Sequence, residues 1–255
     1  MNQDDKIIKV IVVVTLYLLF NMLTYVYAFA SEIDEDALEI VEEFSNLGDD
    51  KQKVAYLTFD DGPSIYTEAL LDVLEEYQAS GIFFVLGKQF ECIPEADRIL
   101  NRMIDEGHYI GLHTMTHDKN ALYFSEKSPS IFAQEMLQLK DEIKLRTGHE
   151  TMLCRAPYGK RGHFKLAHHK VVEETGLYCV EWHVDSRDWA KHNAGQIYDE
   201  VNSQLQELEN QSEIVLLFHE YQRTVDVMPA IITLLQEHGY EIRPYVEGKI
   251  FAGLE

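Results

Sequence analysis

The segment KVAYLTFDDGP, residues 53–63, decides how the chain folds. Residues 54–59 form an apolar run rich in β-branched and aromatic side chains, which is typical of one buried strand. Asp60 and Asp61 close this strand, and the Gly-Pro pair after them predicts a tight turn. Adjacent carboxylates repel each other unless a cation or a proton intervenes. The strand end is therefore either an ordinary Asp-Gly turn or part of a functional site.

Outward from this segment, short strand patterns alternate with amphipathic helical patterns, and several helical patterns stop at a glycine. The other predicted strands are residues 81–86, 109–113, 152–156, 178–184, 213–219 and 240–245. The predicted helices are residues 67–78, 95–106, 129–147, 165–175, 194–210 and 227–238. Strands joined by crossover helices are parallel, so the pattern predicts an α/β fold, either a barrel or an open doubly wound sheet.

Chemically distinctive polar residues lie at the ends of these predicted strands. They are Asp60, Asp61, His113, Arg155, Asp185 and His219. The carboxyl ends of parallel strands point to one face, where barrel active sites are built. We therefore expect these side chains to converge on one site.

His113 and His117 are spaced so that both imidazoles can reach one metal ion. Thr114 stands where a zincin carries its catalytic glutamate, which excludes that class. Two histidines and one carboxylate suit a catalytic zinc with an open coordination position, and they also suit non-haem iron. The ligand types alone leave the identity of the metal open.

The charge balance excludes one large class of partners. The chain carries 44 acidic and 22 basic side chains, a net charge of −22. Nucleic-acid binding relies on basic groups that neutralise phosphates, so no nucleic-acid partner is expected. The chain also has neither a P-loop sequence nor Gly-x-Gly-x-x-Gly after its first strand, which removes support for nucleotide binding.

The N-terminal region predicts export. Lys6 and Lys9 precede an uncharged apolar run, residues 11–30, which ends in the small-x-small pattern Ala-Phe-Ala. We interpret residues 1–30 as a signal peptide or, if uncleaved, a membrane anchor. Residues 31–52 are expected to form an acidic linker, and residues 53–255 the domain that carries the polar strand ends. The protein is thus expected to be secreted or held on the outer face of the membrane, facing the cell wall.

The three cysteines cannot all pair within the chain, so a disulfide-stapled scaffold is excluded. Cys154 and Cys179 lie in apolar runs and are expected to be buried free thiols. A single bridge between them is the alternative.

The sequence resembles the polysaccharide deacetylase family, also called the NodB-homology domain or carbohydrate esterase family 4. The resemblance covers roughly residues 54–246 and rests on five motifs in the family's order. They are TFDDGP at 58–63, HTMTH at 113–117, RAPYG at 155–159, DSRDW at 185–189 and LFH at 217–219. It implies a distorted (β/α) barrel with about seven parallel strands. Cys154 departs from the family pattern, since an aromatic residue commonly precedes the arginine.

By this resemblance, Asp61, His113 and His117 hold a divalent metal, usually zinc, although Co²⁺, Mn²⁺, Ni²⁺ or Fe²⁺ would also suit the ligands. Asp60 is then the general base for the attacking water, and Arg155 orients Asp60 and keeps it ionised. These roles imply hydrolysis of an acyl group at the metal.

The resemblance also implies how the rest of the reaction is served. His219 is the general acid, held as imidazolium by Asp185. The backbone N–H of Tyr158 stabilises the oxyanion, and Trp189 with Leu217 receives the acetyl methyl group.

The resemblance implies removal of N-acetyl groups from amino-sugar polymers, with the N-acetylglucosamine of peptidoglycan as the expected substrate. Xylan or chitooligosaccharide deacetylation in the same family is an alternative. Another is a non-catalytic glycan-binding surface protein, which would be expected to lack at least one metal-binding or proton-transfer residue. A non-haem iron oxygenase would need a jelly-roll pattern, which the strand–helix alternation contradicts.

Overall fold

The computed structural model describes residues 52–251, 253 and 254. The export segment at residues 1–30 and the acidic linker up to residue 51 lie outside the described residues. The strands of the described part are β1 (Lys53–Gly62), β2 (Gly81–Val85), β3 (Tyr109–Leu112), β4 (Leu153–Cys154), β5 (Tyr178–Cys179), β6 (Val184–Asp185), β7 (Glu213–His219) and β8 (Tyr240–Ile242). Its helices are α1 (Thr67–Glu76), α2 (Gln89–Cys92), α3 (Ala96–Asp105), α4 (Lys119–Tyr123), α5 (Ser128–Thr147), α6 (Leu166–Thr175), α7 (Ala194–Glu207) and α8 (Gln222–Glu237).

The strands form one parallel sheet that curls into a half-barrel. Its order is β5-β4-β3-β2-β1-β7-β6, and β8 pairs with the first residues of β1. β1 is the central strand, because it pairs with β2 on one edge and with β7 along the other. The predicted α/β fold with parallel strands is confirmed, whereas a closed barrel is not formed by the described strands.

The barrel stays open because the predicted strand at residues 178–184 is divided. β5 lies at one end of the sheet and β6 at the other, and residues 180–183 cross between them. In this crossing the Glu181 N–H donates to the carbonyl of Leu254 at 2.9 Å instead of to a strand. Leu254 of the C-terminal segment therefore contacts the crossing between β5 and β6.

The concave face of the sheet has an apolar base and a polar rim. A separate apolar cluster contains inward-facing residues of the strands, together with Phe251 and Leu254 of the C-terminal segment. Phe251 is fully buried, and its ring lies 4.9 Å from that of Tyr56. Residues two apart along a strand share a face, so the face of β1 that carries Tyr56 also carries Asp60. On this face of β1, the apolar Tyr56 therefore lies near the start of the strand and the polar Asp60 near its carboxyl end.

The helices pack on the convex face against the main core, which includes Leu57, Phe59 and Phe83. The six predicted helices are present, and α5 and α6 end at Gly148 and Gly176 with φ of 74° and 70°. α2 and α4 were not predicted because four or five residues are too short to show a helical period. Among the described residues, no helix has the length and apolarity needed to cross a membrane.

Candidate active site

A cleft of about 450 Å³ opens at the carboxyl ends of the strands. Its lining contains nine of the ten residues singled out from the sequence, together with four others. The lining residues are Asp60, Asp61, His113, His117, Ala156, Tyr158, Gly159, Trp182, Asp185, Trp189, Leu217, His219 and Tyr221. Arg155 lies beneath the cleft, fully buried. The dispersed polar residues therefore converge as the strand pattern predicts.

The backbone around this cleft adopts unusual conformations. Asp61, Thr114, His117 and Tyr158 have φ of 73°, 76°, 59° and 65°. Left-handed backbone is uncommon for residues other than glycine and is concentrated at functional sites, where surrounding contacts must hold it. These turns direct the side chains of Asp61 and His117 to the same point.

Asp61, His113 and His117 form a possible metal-binding cluster, whose ligand atoms lie within 4.8 Å of one another. Asp61 Oδ1 lies 3.5 Å from His113 Nε2 and 3.4 Å from His117 Nε2. This buried oxygen accepts no hydrogen bond from any described residue. A buried acceptor without a donor is costly, and a cation between the two rings would satisfy it.

Burial favours the neutral form of both histidines, which is the form that binds a metal ion. His113 Nδ1 donates to the carbonyl of Arg155 at 2.9 Å, which leaves Nε2 free of a proton and turned toward Asp61. Burial lowers the pKa of His113 to about 3, because desolvation outweighs the nearby charge of Asp61. Burial also lowers the pKa of His117. The three side chains fit a divalent cation.

Asp60 lies beside this cluster and is held from below by Arg155. The guanidinium donates to Asp60 Oδ1 at 3.0 Å and to Thr58 Oγ1 at 2.6 Å, and it lies 4.3 Å from the ring centroid of Phe84. Burial raises the pKa of Asp60, and the charge and hydrogen bond of Arg155 oppose that rise. The result is a carboxylate that is positioned and remains basic.

His219 is held by Asp188, and not by Asp185 as the sequence analysis expected. Its Nδ1 lies 2.7 Å from Asp188 Oδ1, and its backbone N–H donates to Asp188 Oδ2 at 2.6 Å. Asp185 Oδ1 instead accepts from the N–H of Arg187 at 2.9 Å. The reason is a turn at Arg187, where φ is 49° and brings Asp188 back over the end of β7. Sequence spacing within DSRDW could not show which of the two aspartates contacts His219.

This pair makes His219 strongly basic. Burial alone would lower its pKa, but the hydrogen bond and charge of Asp188, with the charges of Asp60 and Asp61, raise it to about 9. The fully buried Asp188 also accepts from Thr224 Oγ1 at 2.8 Å, so its orientation is fixed. The raised pKa favours the protonated form of His219, which lines the cleft.

Aromatic and apolar side chains complete the cleft. Leu217 is 4% exposed and Trp189 is 59% exposed, so the first lies at its base and the second at its mouth. The ring of Tyr158 lies 4.5 Å from that of His117. Trp182 and Tyr221 also line the cleft but were missed, because they lie outside the five motifs and no strand end marks them.

The chain has clear relatives among known proteins. Residues 47–180 match the polysaccharide deacetylase family. A putative polysaccharide deacetylase from Bacillus subtilis is 36% identical over 198 residues, which cover 76% of this chain and 67% of that protein. A peptidoglycan-N-acetylglucosamine deacetylase from Bacillus cereus is 33% identical over 207 residues, covering 79% and 72%.

The fold gives the same result. The crystal structure of a polysaccharide deacetylase from Bacillus cereus superimposes with a TM-score of 0.70 at 32% identity, covering 79% of this chain and 96% of that one. Together the matched family, the relatives and this structural neighbour identify the chain as a member of the polysaccharide deacetylase family, and thus as a hydrolase of N-acetyl amide bonds.

Proposed function

We propose that this protein is a metal-dependent deacetylase that removes N-acetyl groups from the N-acetylglucosamine of peptidoglycan. The observation that supports a bound metal ion is the buried Asp61 Oδ1, which has no hydrogen-bond donor and lies close to two neutral imidazoles. A divalent cation there, zinc first among those that suit these ligands, would supply Lewis acidity that activates a water and polarises the amide carbonyl.

Two proton-transfer groups with opposite tasks border this point. Asp60, basic and held by Arg155, accepts the proton of the attacking water at its Oδ2, the oxygen that Arg155 leaves free. His219, charged through Asp188, gives its Nε2 proton to the departing amine nitrogen. The base is a carboxyl group and the acid an imidazole, and their different surroundings suit them to these opposite tasks.

The remaining cleft residues position the acetamido group. Tyr158, which has left-handed backbone at the cleft, supplies its N–H as the donor to the developing oxyanion. Leu217 and Trp189 enclose the acetyl methyl group, and the exposed face of Trp189 offers a surface for a sugar ring. Apolar walls at this position favour an acetyl substituent over a longer, charged one.

Peptidoglycan is proposed as the polymer on two grounds. The relative from Bacillus cereus is named for deacetylation of peptidoglycan N-acetylglucosamine. The N-terminal sequence predicts an exported chain, which would meet the cell wall on the outer face of the membrane. Chitooligosaccharide and acetylated xylan are the competing substrates.

The test is acetate release by the full chain from peptidoglycan, chitooligosaccharide and acetylated xylan. Release is expected to be fastest from peptidoglycan, and Asp60→Asn should lower it by at least about 100-fold. Asp199→Asn on α7, an exposed aspartate outside the cleft, is the matched control and should leave the rate unchanged. Equal release by wild type and Asp60→Asn, or release from xylan alone, would contradict the proposal. A non-catalytic glycan-binding protein would bind peptidoglycan and release no acetate.

A further inference from the structure

The loop of residues 113–117 has no glycine, yet it turns twice through left-handed backbone. Thr114 and His117 have φ of 76° and 59°. β-Branched residues such as threonine adopt this region rarely, so neighbouring contacts must hold the loop in place. The position of the His117 imidazole depends on that loop conformation.

One side of the loop is fastened by the turn after β2. Gly87 N donates to the carbonyl of Thr114 at 3.1 Å, and Lys88 N donates to that of Met115 at 2.8 Å. A Cβ at Gly87 would lie 2.3 Å from Met115 Sδ, so the two turns are in close contact. Within the loop, His117 N donates to Thr114 Oγ1 at 3.0 Å. In these bonds the carbonyls of Thr114 and Met115 accept and the N–H of His117 donates.

Two further N–H groups of the loop are bound by one side chain of α5. Glu135 Oε2 accepts from Met115 N at 3.1 Å and from Thr116 N at 3.0 Å. Thr116 Oγ1 also lies 2.9 Å from Glu135 Oε1. One carboxylate therefore receives two of the three backbone N–H groups between the two histidines, and hydrogen bonds of amides to a charged acceptor are the stronger kind.

We propose that Glu135 is a positioning residue for the metal-binding cluster, which fixes the loop so that His117 Nε2 faces Asp61. This inference rests on the proposed function, since it assumes that Asp61, His113 and His117 bind the metal. Glu135 touches neither the cluster nor the cleft lining and lies outside the five sequence motifs. Its effect passes through the backbone of Met115 and Thr116.

The test is calorimetric titration of zinc into the full chain after chelator treatment, without substrate. Glu135→Ala is expected to weaken zinc binding by about 10- to 100-fold, the range typical of residues that orient metal ligands. Glu135→Gln is expected to stay within about threefold of wild type, because its carbonyl oxygen can accept both N–H groups. Rescue by glutamine separates positioning from a requirement for charge.

Glu142→Ala is the matched control. Glu142 lies on the same helix and pairs with Arg146 at 3.2 Å, away from the loop. It should leave zinc affinity unchanged, while thermal unfolding measures the stability lost in each variant. Should Glu135→Ala fail to fold, Glu135→Asp is one methylene too short to reach both donors and should weaken zinc binding by about threefold or more.

Unchanged affinity in Glu135→Ala, or in Glu135→Asp if only that variant folds, would overturn the inference and leave the proposed function standing. An equal loss in Glu142→Ala would also overturn it, since a general weakening of α5 would then explain the effect. A wild-type chain that binds no zinc, cobalt or manganese would overturn both the inference and the proposed metal site.

Discussion

Replacing Asp188 by asparagine is expected to remove the charge that makes His219 basic. The pKa of about 9 lies well above the ordinary 6.5 and corresponds to about 3 kcal/mol of stabilisation of the imidazolium. Asparagine keeps the size of the side chain but removes the anion that accepts from Nδ1. Without it, burial pulls the pKa of His219 back toward 6.5, although Asp60 and Asp61 still raise it.

Two measurements follow this change. An NMR pH titration of the His219 ring, assigned with His219→Gln, should give a midpoint near 9 in the wild type and a much lower one in Asp188→Asn. His219 has a raised pKa in the folded state, so its contribution to stability is fully present below pH 6.5 and is lost as the pH rises through about 9. Urea unfolding should therefore show Asp188→Asn destabilised by about 3 kcal/mol more at pH 6 than at pH 10.

Asp185→Asn is the matched control, because Asp185 lies in the same motif and lines the same cleft. It should lower the His219 midpoint only slightly, since it contributes charge without the hydrogen bond. A wild-type midpoint near 6.5, or a larger fall in Asp185→Asn than in Asp188→Asn, would refute the reasoning.

Three further predictions concern the support beneath the cleft and the thiols. Arg155→Met should destabilise the fold by about 3–5 kcal/mol in urea unfolding, because it leaves the buried Asp60 without its partner; a loss under 1 kcal/mol would contradict this. Gly62→Ala should cost about 1–3 kcal/mol in the same assay, since its Cβ would lie 1.9 Å from Glu220 Oε1. Adding Glu220→Ala should recover part of that cost, and strict additivity would show that the clash is not the cause. A thiol reagent should label Cys92 in the native chain and reach Cys154 and Cys179 only on unfolding, because the latter two are buried free thiols and burial raises the pKa of Cys154. Labelling of only one thiol after unfolding without reductant would instead show a disulfide.

Much of the fold could be predicted because apolar periodicity records burial directly. The run at residues 54–59 became the central strand, and residues at strand ends, from Asp60 to His219, met at one face. The division of residues 178–184 into β5 and β6 was missed, because a continuous apolar run looks alike whether it pairs or crosses the open side of the barrel. Contacts with residues distant in sequence, such as that of Glu181 with Leu254, distinguish the two.

The site, too, depends on contacts and turns that the sequence pattern does not show. Residue types indicated a metal cluster, but the choice of Asp188 over Asp185 depends on one left-handed turn at Arg187. Arginine is not a residue that marks such a turn, so no local signal was present. Glu135 was likewise invisible, since it reaches the metal-binding loop from a helix position twenty residues away from Met115.

The most direct test of the account is zinc-dependent acetate release by the full chain. The chain would be stripped with chelator and then titrated with zinc while acetate release from peptidoglycan is followed. If Asp61, His113 and His117 bind the metal, release should fall to background after stripping and recover to a plateau at about one zinc per chain. His117→Ala should show no recovery at the same zinc concentrations. Release that survives stripping, or recovery in His117→Ala equal to that of the wild type, would contradict a reaction at Asp61, His113 and His117.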